Sequence, residues 1–225
     1  RDGDHYVLNG RKVFVTSGRE ASATLVFCQT DRSQGSHGIS AFLVERGTPG
    51  FLVPKCEDKL GLHASDTAEF VFEDCRVPVE NRLGEEGMGL KIAMSALECG
   101  RIGIAAQAVG IAAGAYALSV AYAKERKSFG VPIGQHQMVQ WMLADMATAI
   151  DAARLLTWRA ATLKDAGKPF GAEASMAKLF AAETAMRVTT DAVQIHGGYG
   201  YIKEYQVERY FRDAKITQIY EGTSQ

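Results

Sequence analysis

The sequence predicts an α+β chain in two parts, an antiparallel β domain over residues 1–78 followed by an antiparallel helical bundle over residues 79–225. Three observations carry this reading. The hydrophobic pattern alternates with a period near two up to Pro78 and near 3.6 beyond it. The early apolar runs are separated by Gly, Pro, Ser and Asp, the residues that punctuate strands. Residues 102–123 carry no charge and are about half Ala and Gly, which lets helices approach one another closely.

The elements follow in order. HYVLNGRKVFVT holds an Asn9-Gly10 pair between two alternating runs, the pattern of a two-residue type I′ hairpin. ATLVFCQT, ISAFLVE, FLVPK and TAEFVFEDC read as further strands, and VPVENRLGEEGMG as a linker. Helical spacing then predicts helices over residues 90–127 and 136–166, the second on Val139, Leu143, Met146, Ile150 and Ala153. Gly167 and Pro169 end it as C-cap and breaker. A third helix over residues 172–195 stops at Gly197-Gly198, and a fourth covers residues 204–216. In the first helix Gly103, Ala106, Gly110, Gly114, Ala117 and Ala121 recur at steps of three and four, a small-residue face suited to close helix packing. The stretch is long enough to span a bilayer, but its Ala and Gly content and the charged, amphipathic helices that follow favour a soluble bundle. No repeat or low-complexity segment interrupts the two parts.

Composition narrows the partners. Lys and Arg number 25 against 26 Asp and Glu, so there is no basic excess of the kind that binds nucleic acid. The four cysteines, Cys28, Cys56, Cys75 and Cys99, form no CxxC pair and have no histidines at ligand spacing. Neither a metal site nor a redox dithiol is expected, and the thiols read as reduced and buried. The opening RDGDHYVLNG has no apolar run and carries acids, so it reads as the middle of a protein and not as a leader.

Several short stretches could carry chemistry, and each alone has an ordinary explanation. ERKSFG sets Arg126 at a helix end, where it could face an anion or merely complement the helix dipole. Gln194-Ile195-His196-Gly197-Gly198 ends a helix on two glycines, open to backbone approach by a ligand or simply a C-terminal stop. Glu98 and Arg101 stand three apart and could form an intrahelical ion pair. The chain closes on IYEGTSQ, a polar loop presenting the carboxylate of Glu221.

In combination they are specific. RKVFVTSG, EDKLGLHASDTAEFVFEDCRVP, GEEGMGLKIAMSALECGRIGIAAQAVGIA, ERKSFG with PIGQHQ, LADMATAIDAARLLTWRAA and QIHGGYGYIKEYQVERYFRDAKITQIYEGTSQ resemble the acyl-CoA dehydrogenase family, most closely its short-chain (butyryl-CoA) branch. The resemblance covers residues 1–225. It implies the middle β domain and the C-terminal helical domain of that fold, without the N-terminal helical domain, an early β segment and the last helix, so the chain is expected to be a fragment. It implies FAD as cofactor and the α,β-dehydrogenation of an acyl-CoA thioester. Such chemistry takes an α-proton with a carboxylate while a hydride leaves the β-carbon, and needs neither metal nor nucleophile.

The resemblance also assigns residues. Glu221 occupies the place of the catalytic base; the alternative place on the long helix, directly before Arg101, is Gly100. Glu98, Cys99, Gly100 and Arg101 match the run that touches substrate, and Tyr220 and Gly222 would wall the acyl pocket. Phe14, Val15 and Thr16 match a strand lying against the flavin, with Phe where Trp is usual. Arg126, Ser128, His136 and Gln137, together with Gln194, Ile195, His196, Gly197 and Gly198, match contacts to the adenine-pyrophosphate half of FAD, largely across a subunit boundary. Thr223, Ser224 and Gln225 match FAD contacts beside the base. A homotetramer, an electron-transfer flavoprotein as acceptor, and the mitochondrial matrix or bacterial cytoplasm as location follow from the same resemblance. An acyl-CoA oxidase and a non-catalytic helical scaffold are the alternative readings.

Overall fold

The computed structural model describes residues 1–225, which divide into two compact units, Arg1–Ala96 and Leu97–Gln225. In the first, β1 (His5–Thr16), β4 (Phe51–Cys56) and β5 (Thr67–Pro78) form an antiparallel sheet in the order β1-β5-β4. A second antiparallel sheet joins β2 (Ala23–Gln29), β3 (Ile39–Glu45) and the two-residue β6 (Arg82–Leu83). Alternation places Tyr6, Leu8, Phe42, Val44, Phe70, Phe72 and Val77 in one core, as period-two patterning requires. Phe51 stacks on Phe72 at 4.8 Å and meets Phe70 edge-on at 4.9 Å.

Asn9-Gly10 does not turn the chain. β1 runs straight through it, paired with β5, and the register shifts by a bulge between Leu8 and Gly10. The reason lies across the sheet: the Asn9 side-chain Oδ1 accepts from the Asp74 N–H at 2.8 Å while its Nδ2 donates to the Asp74 carboxylate at 3.0 Å. A twelve-residue partner strand outcompetes the local turn preference.

The second unit is the helical bundle of α1 (Gly89–Glu125, whose first turns lie in the other unit), α2 (Gln137–Asp165), α3 (Gly171–His196) and α4 (Val207–Ala214). A small hairpin, β7 (Lys127–Ser128) and β8 (Val131–Pro132), separates α1 from α2. Gly167 ends α2 at φ 65°, and the Lys168 N–H reaches back to the Leu163 carbonyl at 3.0 Å. The fourth helix is shorter than its pattern predicts, because residues 215–218 tighten into a 3₁₀ turn.

The packed face of α1 is a second small-residue stripe. Ala105, Ala108, Ala112 and Ala115 are fully buried with Met146 and Ile150 of α2 and the alanines of α3. Gly103, Ala106, Gly110, Ala117 and Ala121 are exposed in this chain; only Gly114 is approached, by Tyr210. The two stripes are offset by two residues, about 200° around the helix. Both faces are small, so spacing alone could not say which one the subunit core uses. α1 is also the one helix long and apolar enough to cross a membrane, with 33% of its most apolar window buried within the chain. The four thiols are free, but of the burial expected for them only Cys75 shows it: Cys28 and Cys56 are half-buried and Cys99 is exposed.

Candidate active site

The closing loop is built by its neighbours. After the 3₁₀ turn the Ser224 N–H returns to the Gln218 carbonyl at 3.0 Å, and between them Glu221 and Gly222 both adopt left-handed backbone, φ 55° and 94°. Glycine accepts that conformation freely; for Glu221 it costs about 1–2 kcal/mol and must be held from outside. Two cations hold it. Arg101 Nε donates to the Glu221 carbonyl at 3.2 Å, and Lys178 Nζ donates to the Gly222 carbonyl at 2.5 Å. Arg101 Nη1 is itself anchored on Ser175 Oγ at 3.0 Å, which donates to the Gly171 carbonyl at 2.9 Å.

The side chain of Glu221 lies against α1 at Gly100. A Cβ added to Gly100 would stand 3.0 Å from Glu221 Cδ and closer still to Oε2, so the missing side chain is what makes room for the carboxylate. Arg101, drawn to the loop, forms no ion pair with Glu98. The Glu98 carboxylate instead packs on the first residue of α3, its Oε1 2.7 Å from where a Gly171 Cβ would be, at a helix end that favours negative charge. Tyr220 donates its hydroxyl to Gln107 Oε1 at 2.5 Å, and burial pushes its pKa up, which keeps it a phenol. Lys178 is 4% exposed; burial first, and then the Arg101 charge, push its pKa down, while Glu221 and Glu183 pull it back up.

Glu98, Gly100, Arg101, Tyr220, Glu221 and Gly222 are thus brought together at one place. Cys99 is exposed beside them, as are Thr223 and Gln225. Ser224 Oγ is buried without a hydrogen-bond partner in this chain. An unsatisfied buried hydroxyl is costly, so a polar ligand group that reached it would fit.

A second group of predicted residues meets around a cavity of about 520 Å³, lined by Arg126, Ile195, His196, Gly197 and Gly198 with Tyr122 and Tyr199. Arg126 follows α1 directly, and its guanidinium lies over the Tyr199 ring at 5.4 Å. Gly197 turns the chain at φ 61°, and Cβ atoms added at Gly197 or Gly198 would meet nothing within 4 Å. His196 donates from Nδ1 to the Ala192 carbonyl at 2.8 Å, stacks on Tyr122 at 4.2 Å, and is held below its ordinary pKa by burial. A cationic side chain, open backbone and aromatic walls suit a phosphate-bearing aromatic ligand such as FAD. Ser128 and His136 pair with one another at 2.9 Å, and Gln137 and Gln194 are exposed; none of these four lines the cavity.

In the β unit, Phe14 has left-handed backbone at φ 60° and is 73% exposed, at the register shift between Lys12 and Val15. A non-glycine residue in this conformation is strained and persists only where its surroundings hold it. Val15 pairs with Ala68 and Thr16 with Thr67. Lys178, Ser175, Gln107, Tyr122 and Tyr199 escaped the sequence reading. One signal for Lys178 was available: it is a lone charge three or four residues from the buried alanines Ala174, Ala181 and Ala182.

An antiparallel β unit leading into a helical bundle with one clamped acidic loop and one aromatic cleft defines the class of chain. Residues 87–225 match the family described as Acyl-CoA dehydrogenase, C-terminal domain, and residues 1–75 match Acyl-CoA dehydrogenase, middle domain. The chain belongs to the acyl-CoA dehydrogenase family. It is 57% identical over 224 residues to the short-chain specific acyl-CoA dehydrogenase of Clostridium acetobutylicum, covering 100% of this chain and 59% of that protein. Among solved structures, butyryl-CoA dehydrogenase from Megasphaera elsdenii superposes with TM-score 0.98 at 56% identity, over 100% of this chain and 58% of the other. A chain from a structure of the electron transferring flavoprotein of Acidaminococcus fermentans superposes with TM-score 0.99 at 61% identity, over 100% and 59%. The chain therefore spans under two thirds of the length of these relatives.

Proposed function

We propose that the protein to which this chain belongs is an FAD-dependent acyl-CoA dehydrogenase that converts a short-chain acyl-CoA to the trans-2-enoyl-CoA, with Glu221 as the base that takes the α-proton. The observation that carries the reading is the Glu221 carboxylate, aimed across Gly100 from a loop fixed by Arg101 and Lys178. The Glu221 N–H has no acceptor in the chain, which leaves it to donate to the thioester oxygen as enolate charge develops. Tyr220, locked on Gln107, walls the acyl side, and Glu98, Cys99, Gly100, Arg101 and Gly222 complete the substrate contacts. FAD would be held by Arg126, Ser128, His136, Gln137 and residues 194–198 at its adenine-pyrophosphate half, by Phe14, Val15 and Thr16 at the ring, and by Thr223, Ser224 and Gln225 beside the base. When bound it supplies the acceptor for the hydride that leaves the β-carbon. In this reading residues 1–78 and 79–225 are the two domains, the assembly is a homotetramer in the bacterial cytoplasm or mitochondrial matrix, and electrons pass to an electron-transfer flavoprotein, a partner suggested by the Acidaminococcus fermentans match.

The test is the full-length, flavin-loaded protein with butyryl-CoA under anaerobic conditions. The flavin is expected to bleach, and Glu221→Gln, nearly isosteric but a poor base, to slow turnover by about 10²–10⁴-fold with flavin content unchanged. A variant that kept more than about a tenth of the turnover would remove Glu221 from the role.

A further inference from the structure

We propose that Lys178 is a positioning residue for the reaction: from its buried place on α3 it holds the Gly222 carbonyl and thereby fixes the Glu221 carboxylate over Gly100. The inference rests on the reading of Glu221 as the base. Lys178 interrupts a face that is otherwise alanine, with Ala174, Ala177, Ala181 and Ala182 all buried around it. Burying an ammonium group there opposes stability, and a carboxylate partner would offset the cost, yet Lys178 forms no ion pair. Its hydrogen bond goes to a backbone oxygen 44 residues away, in the loop that carries the base. An apolar residue of similar volume would serve packing better. The function of the charge therefore lies at the loop.

The geometry says what that function is. Two consecutive left-handed residues, one of them not glycine, form a backbone that can relax by rotating the peptide between or after them. Arg101 takes the carbonyl of Glu221 and Lys178 the carbonyl of Gly222, so neither peptide can turn over without losing a charge-assisted bond. The charged and titratable groups around the clamp are Arg101 on α1, Lys178 on α3 and Tyr220 in the loop itself, with Glu183 acting on Lys178 and Glu98 set against Gly171 at the start of α3. Of these only Lys178 reaches Gly222 with a hydrogen bond.

The experiment compares Lys178→Met and Lys178→Gln in the full-length, FAD-loaded protein, with all rates expressed per bound flavin. Butyryl-CoA is the probe, and exchange of its α-proton in D₂O is followed beside anaerobic flavin reduction. Lys178→Met, which fills the space and donates nothing, is expected to lower kcat and α-proton exchange together by about 10–100-fold with KM within about threefold. Lys178→Gln, whose amide can still donate to Gly222, is expected to recover most of that loss. A Lys178→Met rate within about twofold of wild type, or no advantage of Gln over Met, overturns the proposal. If Lys178→Met does not accumulate as folded flavoprotein, Lys178→Gln decides by itself: near-normal exchange supports the role, and a tenfold loss overturns it. Glu221→Gln in the same exchange assay separates the two readings, because retained exchange there removes the base itself, whatever Lys178 does.

Discussion

Around Glu221 the helical unit commits two cations, a serine and a side-chain-free helix position to fixing one carboxylate, whereas around Arg126 it leaves a cavity of about 520 Å³ bordered by two glycines at which an added Cβ would meet nothing within 4 Å. The first place is filled by the chain's own groups, and the second by none. A group that must be aimed to a fraction of an ångström is over-determined by its surroundings, and a volume meant for an arriving molecule is walled and left open. The comparison predicts that substitutions at the first place change rate with little change in affinity, and that substitutions at the second change affinity with little change in rate.

Gly100→Ala gives the largest effect that would break this comparison. In a helix interior, replacing Gly by Ala ordinarily stabilises by about 0.5–1 kcal/mol. Here the new methyl group would occupy the place of the Glu221 carboxylate. The expected result has two opposite signs: a melting temperature unchanged or raised, and a kcat with butyryl-CoA lowered by about 100-fold at full flavin content. Calorimetry beside steady-state kinetics reads both. A kcat within threefold of wild type would mean that the carboxylate has other room, and the clamp would not be aiming it.

Arg126→Ala comes next and belongs to the open end. Loss of one charge-assisted contact corresponds to about 1.5–3 kcal/mol, so FAD affinity is expected to fall by about 10–100-fold while turnover per remaining flavin stays within about threefold. Fluorescence titration of the apoprotein with FAD measures the first and anaerobic bleaching the second. Unchanged FAD affinity with weaker acyl-CoA binding would assign Arg126 to the substrate.

Local patterns in the sequence reported what is decided locally. The change of period at Pro78, the caps at Gly167 and Gly197, and the first three helices depend on residues a few positions apart, and the structure has them close to where the pattern puts them; the fourth helix, Val207–Ala214, falls short of it at both ends. What spacing missed is set by partners far along the chain. Asn9-Gly10 looks like a turn until Asp74 captures the Asn9 side chain. Glu98 and Arg101 look like an ion pair until the guanidinium is drawn to a carbonyl 120 residues away. The small residues of α1 occupy two faces, and only the positions of α2 and α3 decide which is buried. The candidate site residues were assigned through whole motifs resembling a family, and Lys178, which lies in none of the singled-out motifs, was missed.

The smallest effect concerns His196, at the open end. Its ring is stacked on Tyr122 and buried, and burial disfavours the imidazolium, so its pKa lies below the ordinary 6.5. The sign follows from proton linkage: the unfolded chain takes up a proton near pH 6.5 that the folded chain still refuses. His196 therefore contributes stability that is present in full above that pH and is lost as pH falls through the depressed folded value. His196→Phe keeps a ring against Tyr122 but cannot titrate. The melting temperature of the full-length protein between pH 7.5 and 5.5 is expected to fall less in His196→Phe than in wild type, by a margin smaller than either preceding effect. Carboxylates such as Asp191, whose pKa is raised by burial, titrate in both proteins and cancel in the difference. Parallel pH profiles for the two proteins would show that His196 accepts its proton as readily folded as unfolded, and that the cleft is wetter than its aromatic walls indicate.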